Sequence, residues 1–177
     1  MIHVPVDQAK SSRSAAELRL KKTILDELIR KGREELALLE TSAKSSLNLA
    51  TDQEFKAESK YDTRALEASY LAGAEARRVE ELKLDIQILE EVDLDASSKL
   101  GEISIGALVE LLYQNEKRLY FLIPTAGGTV IRVKDTPILV VSVFSPIGDA
   151  LLGLKVGDSF EVETPKETRH YEVLSFI

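Results

Sequence analysis

From Tyr61 to Leu89 the chain places Tyr61, Ala65, Ala68, Ala72, Glu75, Val79, Leu82, Ile86 and Leu89 on alternating steps of four and three. That spacing is the heptad signature of a helix with one face packed against another helix. A helix from Thr51 to Val92 would be roughly 60 Å long at about 1.5 Å per residue. A compact domain does not need such a length; a projecting arm does.

The preceding segment supplies the second helix. Its apolar seam is Leu18, Leu25, Leu28, Gly32, Leu36, Leu39, Ala43, Ser46 and Ala50. Two steps of four meet at Gly32, a stutter that unwinds a coiled coil locally. Glycine also weakens a helix by ~1 kcal/mol relative to alanine, so a local bend is expected there. Ser14-Ala15-Ala16-Glu17 and Thr51-Asp52-Gln53-Glu54 both have the form of a capping box,. They start helix one at Ser14 and helix two at Thr51, with the turn near Asn48 to Thr51. The expected layout is a lead-in over 1–13, then an antiparallel coiled coil over 14–96 with its tip near 48–54. Glu75 is the single polar member of the second seam and is expected to fix its register. Towards the tip the seam shrinks to Ala43, Ser46 and Ala50 facing Ala65, Ala68 and Ala72. Such side chains forgo apolar burial at ~25 cal/mol per Å², which suits a narrow probe better than a dimerisation zipper.

Composition removes several classes of function. With 30% charged residues and a net charge of -7, the chain is repelled by a phosphate backbone, and no direct sequence-specific DNA binding is expected. The basic residues from Arg13 to Arg33 read as a solvated helix face. The sequence has no cysteine, which excludes disulfides, thiolate zinc sites and cysteine nucleophiles. Neither a signal peptide nor a run long and apolar enough to span a membrane is legible, so the expectation is a cytoplasmic protein with no membrane partner. His3 and His170 are too far apart in sequence to suggest a ligand pair, and no nucleophile–base spacing occurs. An active site or cofactor of its own is not expected, and a monomer is.

Beyond Val92-Asp93-Leu94-Asp95 the pattern changes. Arg118 to Ile123, Val130 to Val133, Ile138 to Phe144, Ser159 to Glu163 and His170 to Ile177 read as strands. Ser104 to Tyr113 fits a strand or a short helix. Ser145 and Pro146 form an N-cap and first position for a short helix. The fold class is therefore α+β, an N-terminal antiparallel coiled-coil hairpin followed over 97–177 by a small antiparallel sheet domain with one short helix across a face.

The string Ser145-Pro146-Ile147-Gly148-Asp149-Ala150-Leu151-Leu152-Gly153, followed by Val156-Gly157-Asp158, Pro165 and Tyr171-Glu172-Val173-Leu174, resembles the C-terminal domain of Gre-type bacterial transcript-cleavage factors. The likeness is carried by about the last forty residues and agrees with the order of arm and domain. It implies an FKBP-like domain docked on the rim of the secondary channel of RNA polymerase core, with Ser145, Pro146, Ile147 and Gly148 at the contact. The coiled coil would enter the channel, acidic tip residues would help hold a second Mg²⁺ of the polymerase, and backtracked RNA would be cleaved at its 3′ end. Contact with RNA would be indirect. The resemblance gives these tip roles to Asp52 and Glu54, with Glu58 a turn further on as a further metal ligand. The family's tip has an acidic residue, then Ser-Glu-Asn, then Ala-Glu-Tyr. Here Thr51-Asp52-Gln53 and Glu54-Phe55 match it one residue shorter, and Leu49 and Ala50 stand near the first acidic position.

Two other readings stay open. Asp52 and Glu54 can simply offset the helix macrodipole, which suits a secondary-channel regulator that modulates transcription without cleavage. A coiled-coil adaptor or FKBP-like binding module outside transcription also fits the pattern, since a fold does not dictate a function.

Overall fold

A computed structural model describes the backbone of residues 6–51 and 64–177. It divides into two compact units, Met1–Leu28 with Ile88–Ile177, and Ile29–Gln87.

The second unit holds residues 29–51 of helix α1 (Val6–Thr51) and residues 64–87 of helix α2 (Arg64–Glu90). From Gly32 onward the seam is as its spacing predicts: Ala72, Val79, Leu82 and Ile86 are buried on α2, and Leu36, Leu39, Ala43 and Ser46 are half-buried on α1. Nearer the start of α1 it differs, because Leu18, expected in the seam, is 36% exposed while Lys21 and Ile24 are buried. Three cross-helix approaches fix direction. Gly32 lies against Ile86, Lys83 pairs with Glu40 at 3.3 Å, and Ser42 bonds Glu75 at 2.8 Å. Partners on α2 fall as positions on α1 rise, so the helices are antiparallel.

Two expectations about the helices need correction. The backbone is already helical at Val6, so Ser14 lies inside α1 and the segment 6–13 is not an irregular lead-in. Ala9, Lys10 and Arg13 are good helix formers and extend the helix towards Pro5. At the other end, Asn48 to Thr51 are helical as well. The turn expected over Asn48 to Thr51 is therefore not at those residues, and residues 52–63 lie outside the described residues.

Gly32 has a packing role within α1, which runs through it as one helix. A Cβ built there would stand 3.2 Å from Ile86 Cγ1. The missing side chain makes room for a branched residue of the facing helix.

The first unit contains the six-stranded sheet. Its order is β3-β4-β2-β1-β6-β5, with β1 (Leu108–Tyr113), β2 (Glu116–Ile123), β3 (Val130–Val133), β4 (Thr136–Ser142), β5 (Ser159–Glu163) and β6 (Thr168–Phe176). Ladders are antiparallel except β2 with β4, which is parallel. The ambiguous 104–113 segment resolves as a loop and then β1. Gln114 (φ 50°) and Asn115 (φ 64°) turn β1 into β2, and Lys134 (φ 47°) with Asp135 (φ 66°) turn β3 into β4. Two successive left-handed residues give the twist that a two-residue hairpin needs.

Both sheet faces are buried. On one, Val109, Leu111, Tyr120, Leu122, Val141 and Val173 pack with Leu151 of helix α4 (Pro146–Leu151). On the other, Leu108, Phe121, Ile123, Val140, Ile138 and Ile131 are all 4% exposed or less. Burial on both sides explains the uninterrupted apolar runs of β2 and β4. Tyr171 anchors the β5 side, stacked on Tyr113 at 4.9 Å and on Phe160 at 5.1 Å. A short helix that the sequence pattern did not reveal, α3 (Ala96–Leu100), closes the crossover from α2 to the sheet.

Candidate functional site

Ser145, Pro146, Ile147 and Gly148 come together at the start of α4, where β4 ends. Ser145 is the N-cap, accepting from the Gly148 N–H at 3.1 Å, and Pro146 opens the helix. Ser145 also donates twice to the Ser142 carbonyl, from its N–H at 2.9 Å and its hydroxyl at 2.7 Å. The Ser142 hydroxyl in turn donates to the Pro124 carbonyl at 2.9 Å and accepts from the Phe144 N–H at 3.2 Å. Gly148 is buried, and a Cβ there would stand 2.0 Å from the Ser142 carbonyl oxygen. Only glycine lets α4 sit on the end of β4. Ile147 is half-buried and packs on the core.

Three of the four expected contact residues therefore have structural work to do. Their combined effect is a fixed turn that presents Phe144, which is 87% exposed. A phenylalanine held outside the core by a bonded turn loses little freedom when it docks. Sequence reading missed it because Ile138 to Phe144 forms one apolar run. The signal was available in Ser142, whose hydroxyl ends the strand, and in the Ser-Pro pair that turns the chain after Phe144.

In the outer unit, the polar member of the seam behaves as a seam residue. Glu75 Oε1 accepts from Ser42 at 2.8 Å, and the hydroxyls of Ser46 and Ser42 hold the carboxyl below its ordinary range. Its second oxygen, Oε2, is enclosed with no hydrogen-bond partner. On either side, Arg78 pairs with Glu35 at 3.6 Å and Lys83 with Glu40 at 3.3 Å. Ala43 and Ala72 line a shallow cleft with Leu47, Gly73 and Ala76.

Asp52, Glu54 and Glu58 lie outside the described residues. Among the described residues no group of three or more histidines and carboxylates is placed to hold a metal ion. His170 pairs with Glu161 at 3.0 Å on the surface; His3 lies outside the described residues. No described helix is long and apolar enough to cross a membrane.

Residues 97–177 match the family described as "Transcription elongation factor, GreA/GreB, C-term". Transcription elongation factor GreA of Streptococcus pyogenes serotype M5 is 30% identical over 119 residues, covering 66% of this chain and 68% of that protein. The chain belongs to the GreA/GreB family of transcription elongation factors. GreA of Streptococcus gordonii is 33% identical over 118 residues, covering 66% of this chain and 67% of its own length. Among solved structures, the GreA factor homolog 1 (Gfh1) protein of Thermus thermophilus is 24% identical. That match covers 86% of this chain and 92% of that one, with a TM-score of 0.35. The Thermus aquaticus Gfh1 is 25% identical over 86% and 90% of the two chains, with a TM-score of 0.36. The GreA/GreB match takes in α3 from Ser97, the sheet and the Phe144 turn, while α1 and α2 lie outside the matched residues.

Proposed function

We propose that this GreA/GreB-family chain is an RNA polymerase factor that docks through the Phe144 turn and stimulates cleavage of backtracked RNA with carboxylates from between α1 and α2. The observation that carries the docking part is the turn itself. A bonded loop presents one aromatic ring and the adjacent Pro146 to solvent, the composition of an interface anchor. The partner surface needs an apolar socket. The two-helix arm supplies reach into the secondary channel.

The connection between the helices carries Asp52, Glu54, Glu58 and Asp62. Carboxylates are hard oxygen donors suited to Mg²⁺, and the ion concerned is the polymerase's. Bound there, it would supply the water activation and charge stabilisation of two-metal phosphoryl chemistry. The residues of this chain would hold and orient it. Pairing of Gly32 with Ile86 and of Ser42 with Glu75 sets a cross-helix register. The pairs Asp52/Glu54 and Glu58/Asp62 are tested separately.

The experiment adds factor and Mg²⁺ to a polymerase complex stalled in a backtracked register. Wild type is expected to release short 3′ fragments, and one of the two paired alanine variants to lose that release while still binding. A second reading, a channel regulator that does not promote cleavage, is favoured by Leu49 and Ala50 standing near the family's first acidic position. Binding and inhibited synthesis with no fragments would select it.

A further inference from the structure

Lys21, on α1, is the one buried charged side chain among the described residues, 2% exposed beside buried Ile24, Leu25 and Leu28. A lysine at a buried helix position is expensive unless its charge is met. Here the ammonium donates to the Leu94 carbonyl, in the crossover between α2 and α3. Burial pushes its pKa down, while Asp95, Glu17 and Asp93 pull it up. The crossover is held from the sheet side as well. Gly106 has φ 88°, and a Cβ there would stand 2.7 Å from the Asp93 carbonyl oxygen and 3.3 Å from Leu94 Cα. Asp93 accepts from the Asp95 N–H at 2.8 Å and from Lys99 at 2.9 Å. Buried Ser97 accepts from the Ser104 N–H at 3.1 Å. The crossover is thus tied to the lead-in of β1 by several contacts, and to α1 by one buried ammonium.

We propose that Lys21 is a positioning residue, whose ammonium on the Leu94 carbonyl seats the first part of α1 on the 92–95 crossover. An apolar residue would bury more cheaply but would accept several seatings; a donor that must meet one carbonyl accepts one. Lys21 belongs to the same helix, Val6–Thr51, that Asp52 follows in the chain. The inference rests on the proposed cleavage function for its consequence, though not for the seating itself.

The test compares wild type, Lys21→Met and Lys21→Arg. Methionine keeps the length and removes charge and donor. Affinity for polymerase core is measured by competition, and fragment release is measured at saturating factor. Lys21→Met is expected to bind within about twofold of wild type, since the Phe144 turn is untouched, and to cleave about tenfold more slowly at saturation. Lys21→Arg, which keeps the donor and charge, should recover much of the rate. In the free protein, amides of 92–97 should exchange about tenfold faster in Lys21→Met, with β1 and β2 unchanged.

A wild-type rate with wild-type exchange overturns the proposal, and so does faster exchange throughout the sheet with affinity and rate falling together. If wild type neither binds nor cleaves, the proposed function fails while the exchange comparison still judges the seating. Should Lys21→Met not fold, Asp95→Asn removes the strongest opposing charge without emptying the site. An intermediate loss of rate supports the inference, and none overturns it.

Discussion

Replacing Gly148 by alanine tests whether the turn is as tightly built as its contacts imply. The new Cβ would lie 2.0 Å from the Ser142 carbonyl oxygen, 2.7 Å from its carbon and 3.0 Å from Val143 Cα. All three are backbone atoms, so no flexible side chain can give way. The start of α4 must lift from the end of β4 by an ångström or more. Overpacking of this kind costs about 1–3 kcal/mol. Lifting α4 also breaks the two Ser145 bonds to Ser142 and weakens the N-cap, each worth about 1 kcal/mol. The total is about 4–6 kcal/mol, enough to lower Tm by roughly 10 °C or more in a domain of this size.

The assay is thermal unfolding followed by near-ultraviolet circular dichroism. The chain has no tryptophan, and Tyr113, Tyr120 and Tyr171 are packed together in the sheet, so the tyrosine band reports this unit. Gly73→Ala is the control. Nothing lies within 4 Å of its added Cβ, and in a helix alanine should gain up to ~1 kcal/mol. A Gly148→Ala protein melting within a degree or two of wild type would refute the close approach, and with it the claim that the turn is preformed.

Further outcomes follow from single contacts. Phe144→Ala should leave Tm unchanged, since the ring is 87% exposed, and weaken polymerase binding by about 2 kcal/mol, roughly thirtyfold. Gly32→Ala should change arm stability little, because the ~1 kcal/mol helix gain offsets crowding of Ile86. Gly32→Val should be clearly destabilising, with Ile86→Ala in the same chain recovering part of the loss; both are read from the 222 nm melt. Glu75 is held below the ordinary carboxyl value of 4.5 by Ser46 and Ser42. Its folded pKa lies below its unfolded one, so its contribution is complete above pH 4.5 and is lost as pH falls through the lower folded value. The stability difference between wild type and Glu75→Gln should therefore shrink on acidification below pH 4.5 and be flat above it.

Much of the arm was legible because a heptad seam needs no tertiary information: Ala72, Val79, Leu82, Ile86 and Leu89 are all buried. Its boundaries were not. A capping box is a local preference, and Ser14 is overridden by helix-forming neighbours on both sides. Lys21 escaped notice since a lysine among basic neighbours reads as a solvated face, and its carbonyl partner, Leu94, lies 73 residues away. In the sheet, strand positions follow from composition, whereas the parallel β2–β4 ladder depends on a long-range choice that no local pattern records. At the turn, the motif residues were visible and their task was not. Ser145 and Gly148 are explained by bonds and space within the chain, and the residue they leave exposed, Phe144, sat inside an apolar run.

Release of 3′ RNA fragments from a backtracked polymerase complex, measured with saturating wild type and with the Asp52→Ala/Glu54→Ala/Glu58→Ala/Asp62→Ala variant, bears most directly on the proposed function. The expected result is fragment release with wild type and none above background with the variant, at equal occupancy of the polymerase. Equal release by both proteins, or none by a wild-type factor that binds, would contradict it.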